Sequence, residues 1–208
     1  MAFKFYKRDS IEKGQMDIQV ASLHVESEDT FHMKNLYKLI HDFLDEEGFT
    51  DIYGDRHPEA NPEIFYLERL NASSGTREHR IRWRYIKMPK YGGEYYRYFL
   101  KVDFLTINMK SIEVMHQGYK MKTDRGDAVI NIEAWLQLDY NNEWEKAPII
   151  KAPWIRRLFR NRIYKAQVEA YKIDLYKIAY RLQNTIKQYL KLKTLYDMPK
   201  PFHPEKGL

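Results

Sequence analysis

Apolar positions along this chain recur with two different periods, and the change of period divides it. Residues 1–8 alternate weakly around Phe3 and Phe5, the pattern of a short strand. Residues 17–25, DIQVASLHV, are apolar and β-branched enough for another. The capping residues of SEDT follow, and Asp29 or Thr30 is expected to accept the first free N–H groups of a helix. Met33, Leu36, Ile40, Phe43 and Leu44 give that helix one apolar face. Gly48 is placed to end it in the left-handed conformation, with Phe49 folding back on the last turn. Residues 50–63, with Gly54, Pro58 and Pro62, read as loop.

From Glu63 the period becomes two. Ile64, Tyr66, Glu68 and Leu70 alternate with Phe65, Leu67 and Arg69; Ile81, Trp83 and Tyr85 alternate with Arg80, Arg82 and Arg84. Tyr96, Tyr98, Leu100, Val102 and Phe104 oppose Arg97, Lys101 and Asp103. After a break near Asn108, Ile112 and Val114 begin another run, and residues 122–127 (KTDRGD) read as a turn. Ile130, Ile132, Ala134, Leu136 and Leu138 then oppose Asn131, Glu133, Gln137 and Asp139. Short connections predict an antiparallel meander with one buried face and one wet face.

Pro148 and Pro153 mark a return to helix, and Trp154–Leu192 contains no Gly or Pro. Tyr164, Val168, Tyr171, Leu175, Ile178, Leu182, Tyr189 and Leu192 follow spacings of four and three, with Thr185 a polar gap. Such a helix is roughly 58 Å long, against ~33 Å for a ten-residue strand. It must therefore overhang the sheet, bend, or break near Arg156–Arg162. The expected class is α+β: an antiparallel sheet of five to seven strands, one short acidic helix and one long basic C-terminal helix. The divisions are residues 1–145 for the sheet domain, 146–194 for the basic helix and 195–208 for a Pro-rich extended tail.

Charge sharpens this division. The net charge of +6 conceals opposite parts. Residues 1–145 carry −5, whereas residues 146–193 hold 13 Lys/Arg against Glu169 and Asp174, which is +11. The tail is neutral. With 0 Cys, disulfide scaffolds, thiolate zinc sites and cysteine catalysis are excluded. No apolar run approaches ~18 residues, and MAFKFYKRDS lacks the apolar core of a secretory signal. A cytoplasmic protein is expected.

The chemistry-bearing clusters are few. The segment 154–165 places Arg156, Arg157, Arg160, Arg162 and Lys165 among Trp154, Ile155, Leu158, Phe159 and Ile163. Guanidinium forks donate two hydrogen bonds to a phosphate or carboxylate at once. The segment can meet a protein partner, a phosphate backbone or an anionic membrane surface, or serve simply as a solvated helix face. Arg80, Arg82 and Arg84 share one sheet face, joined by Arg97, Phe99 and Lys101 from the next strand. That face suits stacked bases, or balances its charge on Glu68, Asp103, Glu113, Glu133 and Asp139. Tyr91, Tyr95, Tyr96 and Tyr98, with Tyr164 and Tyr171, suit the margin of a core or an amphipathic pocket. The seven histidines fall in no metal-ligand spacing, His57 with Asp51 and Asp55 included. No nucleophile elbow, P-loop or dinucleotide fingerprint occurs. No cofactor is expected.

The phrases LYKLIHDFLDEEGF (36–49), IFYLER (64–69), IRWRYIKMP (81–89), YYRYFLKVDF (95–104) and IEVM-x-x-G (112–118) together resemble a family of uncharacterised proteins from small-genome archaea. The resemblance spans residues 30–195 and implies an archaeal cytoplasmic protein, with no assigned activity. In pattern alone, the order of helix, meander and long helix is similar to helix-grip (START-like) domains, which enclose an apolar ligand. The functional expectation is a non-enzymatic binding or scaffold protein acting through its basic helix, by a protein partner or self-association. RNA or ribosome association and carriage of a small apolar ligand stand as alternatives.

Overall fold

The computed structural model describes residues 17–52, 61–90, 95–116, 119–140 and 153–192. The expected strand at 1–8, the residues Asp55, His57, Tyr91 and His203, and the tail 195–208 lie outside the described residues. So do the side chains of His116, Arg156, Arg157, Phe159 and Arg160.

The described residues form one open antiparallel sheet of seven strands, with two of the three helices packed on one face. The strands are β1 (Asp17–Ser27), β2 (Thr30–Phe31), β3 (Thr50–Asp51), β4 (Glu63–Asn71), β5 (Thr76–Lys87), β6 (Tyr96–His116) and β7 (Tyr119–Leu138). The helices are α1 (Met33–Glu46), α2 (Pro153–Leu158) and α3 (Lys165–Tyr189). The sheet runs β1-β7-β6-β5-β3, with β2 also on β7 and β4 also on β5. The α+β class stands as read from the pattern.

The alternation does select the buried face. Ile81, Trp83, Tyr98, Leu100, Val102, Phe104, Ile130, Ile132, Ala134 and Leu136 lie beneath the helices, each almost without exposed surface. Leu36, Ile40 and Leu44 of α1 and Leu175, Ile178, Leu182 and Ile186 of α3 close the core. Helix α3 lies over β1 and β7, and α1 packs beside it. Tyr37 of α1 meets Trp83 edge-on, 4.4 Å between ring centroids. At the end of α1, Gly48 takes φ +76°. Its N–H reaches the Asp45 carbonyl at 2.8 Å, and the Phe49 N–H reaches Leu44 at 2.9 Å. Phe49 is buried on that turn as expected.

Four expectations need correction. The helix cap is His32, with no side-chain bond of its own. Thr30 and Phe31 instead join the ladder opposite Arg125 and Asp124, because burial of Phe31 against the core outweighs a local cap. The carboxylate that receives the first N–H of α1, from Met33 at 3.4 Å, is Asp124 of β7. Second, the residues read as a turn at 122–127 are strand, paired with β6. Gly126 permits this: a Cβ there would stand 2.9 Å from the Ile107 carbonyl oxygen and the Met109 Cα. Third, Asn108 does not end its strand. It takes φ 55° at a register shift between Ile107 and Lys110, a bulge within one 21-residue strand. Fourth, the stretch read as loop contains β3, pinned by Thr50 and Asp51 opposite Ile86 and Tyr85.

Of the three alternatives of overhang, bend or break near Arg156–Arg162, the long helix takes the break. A five-residue π-helical turn, Phe159–Ile163, follows α2, and Tyr164 leaves helical geometry before α3 begins. Its uninterrupted part is therefore the 25 residues of α3.

Candidate partner-binding surfaces

Pro153 opens α2, where its missing N–H costs nothing. Six residues later the hydrogen-bond ladder widens to the π turn, and α3 restarts with the Val168 N–H on the Tyr164 carbonyl at 2.9 Å. The result is a short limb set apart from the packed helix. Trp154 is 69% exposed, and Leu158 and Ile163 are exposed with it. Arg162 and Lys165 are exposed as well. Thus Trp154, Arg162 and Lys165 of the sequence candidates are all exposed, along one short stretch of chain that also exposes Leu158 and Ile163.

An open cleft of about 500 Å³ lies beside this limb, lined by Ile18, Asn161, Lys165, Val168, Glu169 and Lys172. Lys172 donates to Glu169 at 2.9 Å. The tyrosine cluster adjoins α3, with Tyr96 centred 4.8 Å from Tyr171. Tyr98 donates to Asp174 at 3.0 Å. Burial, with the neighbouring Tyr171 and Tyr164, pushes the Tyr96 phenol up to about 12. The charged lining of the cleft does not resemble a closed apolar chamber beneath the helix.

The second candidate surface splits along its length. At one end Arg97 is 0% exposed, donates through Nε to Gln137 at 2.8 Å and stacks over Tyr140. Phe99 is buried with Ile52, Ile86 and Trp135. These two sheet-face candidates are therefore closed to any partner, because the face expected to be wet is buried at that end. Lys101 pairs with Glu133 at 3.3 Å and lies over Trp135. Burial pushes the Glu133 carboxyl up, but the Trp135 N–H and the Lys101 charge together pull it net below the usual range. Arg84 binds Asp103 at 2.6 Å and the Trp83 carbonyl. Arg80 and Arg82 alone remain open on this face, and among the described residues neither has a carboxylate partner. Arg82 rests over the Phe65 ring at 5.4 Å.

Acidic residues read as balancing this face divide differently. Asp103 and Glu133 do balance it. Glu68 lies on the opposite face, near Arg77 and His79. At the acidic end of α1, Glu47 accepts Arg181 of α3 at 2.9 Å. Among the described residues, that is the ion pair by which the acidic front helix meets the basic rear helix. Asp51, the described member of the His57 group, is buried in β3. Among the described residues no three His, Asp or Glu are grouped to hold a metal. Among them, too, no helix is long and apolar enough to cross a membrane.

The period-two run from Glu63 is a strand as read, β4, but the exposure of its apolar residues was not anticipated. Ile64, Phe65, Tyr66, Leu67 and Leu70 are all exposed there, on both faces of the sheet. Apolar residues occupy both registers of this strand: Ile64, Tyr66 and Leu70 in one, Phe65 and Leu67 in the other. No family model matches this chain, and no curated protein matches its sequence.

Proposed function

We propose that this protein is a non-enzymatic binding protein that docks an acidic partner protein on the limb Trp154–Lys165. The observation that carries this reading is the exposure of Trp154, Leu158 and Ile163 in a chain segment that also presents Arg162 and Lys165. Large apolar side chains left in solvent beside unneutralised cations form an anchor-and-rim surface. The charge of +11 over residues 146–193 supports it, since among the described residues one ion pair, Arg181–Glu47, joins the rear helix to the acidic front helix. A photo-crosslinker at Leu158, activated in native cells, tests it. The expected result is one specific protein adduct, weakened by salt and lost in W154A. Absence of any specific adduct overturns the reading.

A second reading, RNA contact, is favoured by Arg80 and Arg82, which among the described residues lack carboxylate partners and lie on an open face beside Phe65. It requires affinity for mixed RNA that falls steeply with salt and that R80E/R82E abolishes. The apolar-carrier reading gains no support from the open, charged cleft beside α3.

A further inference from the structure

The two edges of the sheet are finished differently. On β1 the exposed residues are polar: Gln19, Ser22, His24 and Glu26. On β4, five of nine residues are large and apolar, exposed by 41% to 64%. Among the described residues β4 bonds only to β5, so the N–H and C=O groups along its outer side have no strand partner. Soluble proteins blunt such an edge with Lys, Pro or a central bulge. β4 has no Lys and no Pro, and its one register shift is confined to Glu63–Phe65.

We infer that β4 is the contact through which two copies of this chain pair, antiparallel, into one continuous sheet. The occupant is a second copy because the strand complements itself. A twofold axis perpendicular to the sheet keeps each face continuous and sets odd residues opposite odd ones. Placed at Leu67, it brings Phe65 opposite Arg69 and Tyr66 opposite Glu68. Both pairings have precedents within the chain. A guanidinium already sits over Phe65, and Tyr66 already donates to Glu68 at 3.4 Å. Moving the axis to Glu68 sets two carboxylates against each other. Moving it to Tyr66 faces Ile64 with Glu68 and leaves Leu70 without a partner. Cross-strand pairs of the favourable kinds stabilise a sheet, and opposed like charges destabilise it. Arg80 and Arg82 of the two copies stay roughly 14 Å apart, three strand spacings, beyond the ~8 Å screening length.

This contact is independent of the limb at Trp154, and it is apolar rather than ionic. Sedimentation of the full chain from ~1 to ~200 μM, at low and at high salt, tests it. The mass is expected to rise with concentration from 25.2 kDa toward a limit of twice that value, equally at both salts. L67K sets two charges on the axis and is expected to hold the chain monomeric, with an unchanged circular dichroism melt. W154A is expected to dimerise normally. The chain has no cysteine, so L67C reports the register. Directly opposed antiparallel residues have Cα atoms ~4.5–5.5 Å apart, within disulfide reach. L67C is expected to crosslink on mild oxidation at least tenfold faster than L70C. A mass of 25.2 kDa throughout, a dimer that L67K leaves intact, growth beyond a dimer, or equal crosslinking of L67C and L70C each overturns the inference. The first of these would leave the edge to a strand from another protein.

Discussion

Strands β4 and β6 flank the same strand, β5, and share its ladder, yet they have opposite fates. From β6, Tyr98, Leu100 and Val102 have no exposed surface. From β4, no large apolar residue is buried. Composition does not separate them, since both are rich in Tyr, Phe and Leu. Position does: β6 has a strand on each side and helices above it, while β4 has β5 on one side only. An apolar run therefore has two meanings. In the middle of a sheet it is core; at an edge it is surface seeking a partner.

The largest expected effect sets the two flanks of β5 against each other. Trp83 is enclosed by α1 and β6, so W83A should cost about 3–5 kcal/mol in urea unfolding. L70A on β4 should change stability by no more than about 0.5 kcal/mol. A cost above ~2 kcal/mol for L70A would mean that β4 is covered, and the contrast would fail. Next is G126A in β7, where the added methyl meets the β6 backbone at 2.9 Å. It should cost about 1–3 kcal/mol, measurable as a lower urea midpoint, and a neutral result would show that the bulge at Asn108 can relax.

A smaller difference should separate two neighbouring arginines. Arg84 reaches Asp103 on β6, while Arg82 leans over Phe65 on β4. R84A should cost about 1 kcal/mol, discounted because Asp103 is partly exposed. R82A should cost at most about half of that. Equal costs would erase the distinction between the two sides.

The smallest effect is one of pH. His79 of β5 looks both ways: Nδ1 lies 2.8 Å from the Thr106 hydroxyl of β6, and Nε2 lies 3.9 Å from Glu68 of β4. Burial lowers its pKa below the ordinary 6.5, against the opposing pull of Glu68. The unfolded chain then binds a proton first as pH falls, so stability drops below pH 6.5 and is unaffected above it. E68Q removes the opposing pull and should deepen that acid loss, whereas H79Q should flatten it. Urea midpoints at pH 7.5 and 5.5 for the three proteins decide the matter.

Much of the fold was legible because one physical rule, burial of alternate residues, writes itself into strands such as 96–104 and 130–138. Length alone showed that the long helix must overhang, bend or break, but not which of the three it does. What was hidden depends on distant partners. The turn-like residues 122–127 are strand because β6 lies alongside them, and α1 is capped by a carboxylate 91 residues away. For the same reason the wet face could not be told from its sequence register: Arg97 and Phe99 alternate correctly and are buried all the same. Of the candidate surfaces, the limb at 154–165 was legible as basic and aromatic. The edge position of β4 was not, because strand order is not a local property.

The placement of β1 also has a consequence in time. Its partner is β7, so Asp17 accepts a hydrogen bond from Gln137, 120 residues later. A ribosome adding ~5–20 residues per second needs about 6–24 s to reach that point. Throughout this interval the first strand has been made and its neighbour has not. The β4–β5 hairpin, whose strands are joined by Thr76 opposite Asn71, can close long before. The nascent chain thus presents its apolar hairpin early and secures its beginning late, a folding order set by topology rather than by the stability of either part.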